Sequence, residues 1–251
     1  MRSQILFNYD WLYIPQECAS NIRDNEFESV ILPHTNKMLP WHNFDDKEYQ
    51  FISTYRKRFT LPESLDGRRV YIDFEGVMQG TTLTINGHSF PEHKGGFTRF
   101  SYDLTDYLNI DGENLLEVRV DSHERPDIPP HGGQVDYLVF GGIYRDVYLR
   151  YVDPVHITNV HVKTFDVLTD NPRVEVDVWV KNTTGQQVDF SLLVGLHDMD
   201  FNYPTDAHSE KYAIEAHSES KITAKFDNFT DIRLWSITDP YCYACHVELG
   251  F

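Results

Sequence analysis

Apolar and polar residues alternate at every second position through much of this chain. Val70, Ile72 and Phe74 fall on one side of an extended segment, with Tyr71, Asp73 and Glu75 on the other. That is the spacing of a strand with one face turned inward. Leu116, Val118 and Val120 alternate with Glu117, Arg119 and Asp121 in the same way. Val174, Val176, Val178 and Val180 alternate with Glu175, Asp177 and Trp179 until Asn182-Thr183-Thr184-Gly185 ends the run. Leu83 and Ile85 lead into Asn86-Gly87, a pair that accepts positive φ and so marks a two-residue hairpin turn. Helical periodicity is scarce. Short strands punctuated by Gly, Pro, Asn and Asp predict an all-β fold of antiparallel sandwiches.

The clearest break lies at Asp153-Pro154, between a run ending at Val152 and a new alternating run from Val155 to Val162. It predicts two domains, residues 1–153 and residues 154–251. The second has the length of one immunoglobulin-like sandwich of about seven strands. In the first, the least regular stretch runs from Glu124 to Gly142 and is rich in Pro and Gly. A loop of that length between strands is commonly functional.

The 22 basic residues are outnumbered by 39 acidic ones, for a net charge of −17. No basic block exists to offer a footprint to nucleic acid or an anionic membrane, so neither is expected as a partner. A neutral ligand such as a sugar is indifferent to that charge. No segment approaches the ~20 apolar residues of a membrane span, and the amino terminus turns polar too soon for a secretory signal. The expected location is the cytoplasm. Three cysteines give no disulfide framework. Cys242 and Cys245 lie three apart on an expected strand and should point to opposite faces.

The residues present supply no familiar catalytic constellation. G-x-S-x-G is absent, Gly95-Gly96 and Gly141-Gly142 lack a following phosphate-loop lysine, and His88 and His93 lack a third ligand. No cofactor and no metal are expected. Asp45-Asp46 sit on a loop, and no two carboxylates show the fixed spacing a glycosidase needs. The strongest cluster runs from Asp121 through Arg125-Pro126-Asp127 to Asp136-Tyr137 and on to Asp146. Carboxylates, aromatic rings and glycines are what a sugar site uses, since hydroxyls bond to carboxylates and C–H faces stack on rings. The same run also reads as a strand with its entry loop, Arg145 and Asp146 forming an ion pair.

Several motifs occur here in order: Trp41 to Phe44, Tyr55-Arg56-Lys57-Arg58-Phe59, Phe74-Glu75-Gly76-Val77, Ile85-Asn86-Gly87, His93 to Phe97, Arg125-Pro126-Asp127, Phe140 to Val147, Leu234-Trp235-Ser236 and Asp239-Pro240-Tyr241. Together they closely resemble the N-terminal half of glycoside hydrolase family 2, the β-galactosidase, β-glucuronidase and β-mannosidase group, over essentially the whole chain. The resemblance implies a galactose-binding-like jelly roll followed by an immunoglobulin-like domain. It also implies that both catalytic glutamates belong to a (β/α)₈ barrel following Phe251. No catalytic residue is then expected in this chain, which reads as a truncated, non-catalytic part of a β-glycosidase. Its partners would be that barrel and a carbohydrate substrate, and a homo-oligomer is one candidate state. By alignment of the Gly-Ile-Tyr-Arg-Asp run, Asp136 takes the place of an aspartate that touches sugar hydroxyls in the family. An asparagine that helps bind galactose in some members falls near Gln50, a departure that counts against a galactose-specific subsite. Gln50 and Tyr137 are the further candidates for substrate contact. The rival readings are a stand-alone carbohydrate-binding module and a structural pair of sandwiches.

Overall fold

The alternating runs form the sheets that their spacing demands. The computed structural model describes residues 3–18, 21–42, 45, 47–132, 139–198, 208–227, 229 and 232–251. Residues 1–152 and 153–251 form two compact units.

The first unit contains strands β1 (Ser3–Leu6), β2 (Trp11–Ile14), β3 (Glu28–Val30), β4 (Ile52–Phe59), β5 (Arg69–Phe74), β6 (Gly80–Ile85), β7 (His88–Ser89), β8 (His93–Lys94), β9 (Phe100–Asp103), β10 (Asn114–Asp121) and β11 (Val147–Val152). One sheet has the order β1-β11-β5-β9, and the other β3-β2-β4-β10-β6-β7 with β8 also on β6. All their pairings are antiparallel. Val70, Ile72 and Phe74 from the smaller sheet meet Leu83, Leu116, Val118 and Val120 from the larger in one buried core. Each such side chain contributes about 1.5–3 kcal/mol by leaving water. At the β6–β7 hairpin Asn86 and Gly87 both have positive φ, 49° and 86°, the geometry expected of that dipeptide.

Two charged residues of β4 are buried. Arg56 donates to Glu117 Oε1 (2.8 Å), Asp24 Oδ1 (2.8 Å) and the Ile22 carbonyl, and its guanidinium lies 4.3 Å from the Phe27 ring centre. It thereby holds the segment between β2 and β3 against the sheet. Lys57 donates to the Tyr9 carbonyl and lies over the rings of Phe7 and Trp11. On β5 the buried Asp73 accepts from Arg150, Arg99 and Ser101.

The second unit pairs two three-stranded sheets. One is built from β12 (Val155–Phe165), β13 (Arg173–Asn182) and β16 (Ser218–Phe226), and the other from β14 (Val188–Asp198), β15 (His208–Ile214) and β17 (Tyr243–Gly250). Six strands, rather than about seven, occur among the described residues. The inward residues Val176, Val178, Val180, Leu192 and Val194 form its core. Asn182 is fully buried at the β13–β14 turn. Its amide donates to the carbonyls of Gln186, Ile214 and Glu215, while its Oδ1 accepts from Thr184 N and Oγ1. The Asn-Thr-Thr triplet is therefore a turn device rather than an exposed glycan acceptor. The chain is all-β: a jelly-roll sandwich and an immunoglobulin-like sandwich.

Candidate functional site

Five segments of the first sandwich converge around one buried asparagine. Asn36 Nδ2 donates to the Tyr49 carbonyl (2.8 Å) and to Ser122 Oγ (3.2 Å), and its backbone N–H donates to the Gly141 carbonyl (2.9 Å). Ser122 Oγ in turn donates to the Met78 carbonyl (2.8 Å), and Met78 and Gly142 exchange two backbone bonds. A Cβ on Gly141 would stand 2.5 Å from the Asn36 amide. Only glycine allows the two segments to approach this closely.

Beneath this knot lies a cluster of rings. The Tyr55 hydroxyl accepts from Ile143 N (3.4 Å), which leaves its proton for His34 Nδ1 (2.9 Å). Tyr13 packs on both, with ring centres 4.7 Å from His34 and 4.9 Å from Tyr55. Burial pushes the Tyr13 phenol up to about 12 and the Tyr55 phenol higher still, and it lowers His34. All three stay neutral at pH 7, so this cluster is a support rather than an acid/base device.

The knot borders the segments that the sequence singled out, through Tyr49, Ser122 and Gly141. Gln50 follows Tyr49, and its Oε1 accepts from the Glu124 backbone N–H (3.3 Å). Glu124 Oε1 accepts from the Gly132 N–H. Asp136 and Tyr137 lie outside the described residues; they fall between Gly132 and Val139, after which the chain rejoins Asn36 through Gly141. Arg125 and Asp127 are committed to each other, to Glu92 and to Lys94. The Arg125 guanidinium and the Lys94 ammonium hold the Asp127 carboxyl well below its ordinary value. The expected Arg145–Asp146 pair does not form. Asp146 instead accepts from Asn8 Nδ2 (2.7 Å) and Tyr148 OH (3.3 Å), while Arg145 lies 5.4 Å from the Tyr144 ring centre.

Beside the knot the surface turns apolar, with Trp41 93% exposed, Met38 79% and Phe140 42%. Rings and hydroxyl-binding groups on one rim suit a saccharide or a polypeptide surface. Periodicity gave no warning of Asn36, because a buried polar hub in a loop has no pattern. The only local signal is its place after Leu32-Pro33-His34.

Other candidates take structural roles. His88 stacks on Tyr107 with ring centres 3.5 Å apart, and His93 stacks on Phe100 at 3.9 Å. Among the described residues no group of three metal-ligating side chains comes together. Cys245 is half-buried in β17 opposite Leu196, whereas Cys242 is exposed before the strand starts. No described helix is long and apolar enough to cross a membrane.

Comparisons with known proteins place this geometry. The family model described as "Glycosyl hydrolases family 2, sugar binding domain" matches residues 16–154, and "Glycosyl hydrolases family 2" matches residues 155–250. A β-galactosidase of Thermoanaerobacterium thermosulfurigenes is 35% identical over 261 aligned residues, covering 99% of this chain and 35% of that protein. A β-galactosidase of Thermoanaerobacter pseudethanolicus is 46% identical over 165 residues, covering 64% of this chain and 22% of its own length. The crystal structure of Bacteroides uniformis β-glucuronidase superposes with a TM-score of 0.88 at 25% identity, over 99% of this chain and 30% of that one. The chain thus spans about a third or less of the length of its first curated relatives. With both sandwiches matched in order, the chain belongs to glycosyl hydrolase family 2.

Proposed function

We propose that this chain is the non-catalytic, amino-terminal two-domain part of a β-galactosidase-like family 2 enzyme. Residues 1–153 act as the galactose-binding-like domain and residues 154–251 as an immunoglobulin-like spacer. The Glu124–Gly142 loop, anchored through Asn36, presents Asp136 to a sugar whose glycosidic bond is cut by carboxylates on a barrel elsewhere in the polypeptide. Gln50 and Tyr137 are further candidates for contact with that sugar. A carboxylate suits the task because it accepts hydrogen bonds from two hydroxyls at once, and charge-assisted bonds are about twice as strong as neutral ones.

One observation carries this reading. The two family matches account for residues 16–250, while the T. thermosulfurigenes relative is almost three times as long. The exposed Trp41, Met38 and Phe140 support it, since an exposed apolar patch suits an interdomain surface.

The test is turnover of chromogenic β-galactosides and β-glucuronides by the purified chain and by the longer protein. The chain alone is expected to be inactive and the longer protein active, because hydrolysis needs an acid/base and a nucleophile at fixed spacing. Turnover by the chain that disappears with a single Asp or Glu substitution within it would overturn the reading.

A further inference from the structure

Arg145 is an exposed guanidinium that is held in place without an ion-pair partner among the described residues. Gly76 makes room for it: a Cβ there would stand 2.9 Å from Arg145 Cδ and 3.1 Å from Tyr144 OH. Its aliphatic stem therefore rests on the backbone after β5 while its plane lies near the Tyr144 ring. That ring is itself fixed, since Tyr144 OH donates to the Gly96 carbonyl. The side chain faces an open groove of about 520 Å³ lined by Pro33, Glu75, Tyr144, Arg145, Asp146 and Tyr148.

The carboxylates within reach are already engaged. Asp146 is taken by Asn8 and Tyr148, and Glu75 faces Arg99 at 3.6 Å. Arginines within the β1-β11-β5-β9 sheet behave differently: Arg150 grips Asp73 and Arg69 grips Asp103 and Asp106. In a chain with 39 acidic residues, an intramolecular partner for one more arginine is easily found. A guanidinium packed into one orientation yet left unpaired is preorganised for a planar anion from elsewhere, because its fork matches a carboxylate bidentately.

We propose that Arg145 is a docking arginine that receives a carboxylate side chain from the polypeptide that family members carry beyond these two domains. This rests on the reading of the chain as part of a longer family 2 enzyme. Two observations select that occupant. The T. thermosulfurigenes relative holds nearly two thirds of its length outside the matched region, so a large covering surface is available. The groove also sets the Arg145 guanidinium beside hydroxyl and carboxylate neighbours, which suits a polar side chain better than an apolar one.

The experiment compares hydrogen exchange of the peptide Ile143–Val147 in the isolated chain and in the longer protein, each with Arg145 and with Arg145→Gln or Arg145→Lys. In the longer protein the peptide should be protected beyond its level in the isolated chain. Arg145→Gln should remove roughly tenfold of that extra protection, and Arg145→Lys should keep part of it. In the isolated chain, Arg145→Gln should leave the melting temperature unchanged. Wild-type protection in the full-length Arg145→Gln variant would overturn the proposal. So would an equal loss of stability in the isolated chain, which would make Arg145 an internal prop. If the Ile143–Val147 peptide exchanges equally in both wild-type forms, this groove is uncovered and the proposal fails. Protection of the peptide containing Trp41 would then still decide the broader reading by itself.

Discussion

Gly142 and Tyr55 occupy space that one extra carbon would contest. Gly142 has φ +99°, and a Cβ built on it would collide with the Tyr55 hydroxyl and stand 2.9 Å from the His34 carbonyl. Gly142→Ala combines a backbone conformation that L-residues avoid with a clash against a fully buried ring. The expected loss is about 2–4 kcal/mol in urea unfolding. Adding Tyr55→Phe removes the clashing oxygen, so the two changes together should cost less than their sum. Strict additivity would mean that the hydroxyl is not the obstacle.

Asp73 makes the first domain sensitive to acid. Burial alone would raise its carboxyl, but hydrogen bonds from Arg150 and Ser101 and the charges of Arg150 and Arg99 outweigh that and hold it below the ordinary value. A folded-state value below the unfolded one of about 4 contributes stability that is complete above that pH. The contribution is lost as pH falls through the lower folded value. Asp73→Asn is expected to cost about 3–5 kcal/mol at pH 7, with Arg150 left facing a neutral amide, and the difference from the wild type should begin to shrink as pH falls below about 4. A constant difference across that range in denaturant titrations would remove Asp73 as the cause.

Asn182 predicts a loss confined to the second domain. Asn182→Ala removes five hydrogen bonds around one turn and leaves backbone groups without partners. The expected cost is about 2–3 kcal/mol. Hydrogen exchange should accelerate along β13 and β14 while β10 keeps its protection. Uniform acceleration in both domains would contradict the local account.

Asp136 is the test of the sugar-site proposal in the longer enzyme. Asp136→Ala should lower kcat/KM roughly ten- to a hundredfold, the equivalent of about 1.5–3 kcal/mol for a charge-assisted contact. The melting temperature should barely move. Unchanged kinetics would leave the loop without a role in substrate binding.

The elements with one buried face were legible in the chain alone. Val70-Ile72-Phe74 and Leu116-Val118-Val120 became β5 and β10 because burial on one face imposes a period of two. β4 is harder to read, since Ser-Thr-Tyr-Arg-Lys-Arg looks like a surface segment. Its charges are buried by partners far along the chain, Glu117 for Arg56 and the Tyr9 carbonyl for Lys57. Adjacency misled at Arg145-Asp146: the chain bends at Arg145 just before β11, Asp146 takes Asn8 and Tyr148 as partners, and Arg145 lies by the Tyr144 ring. The anchoring role of Asn36 arises from residues 13, 86 and 105 positions away. Local pattern carries no record of such contacts.

The pairing of β1 with β11 sets the order in which the first domain can be made. Ser3 lies opposite Tyr151, and β11 also separates β1 from β5. On the ribosome β1 therefore waits for the strand that closes its domain. At about 5–20 residues per second that wait is on the order of 10–30 s. Once β5 has been made, about half-way through that wait, the edge that β11 will cover also stays open to other chains. A nascent chain halted before Tyr151 would carry both unsatisfied edges, so the commitment of this domain to its fold comes only as the first residues of the second are being added.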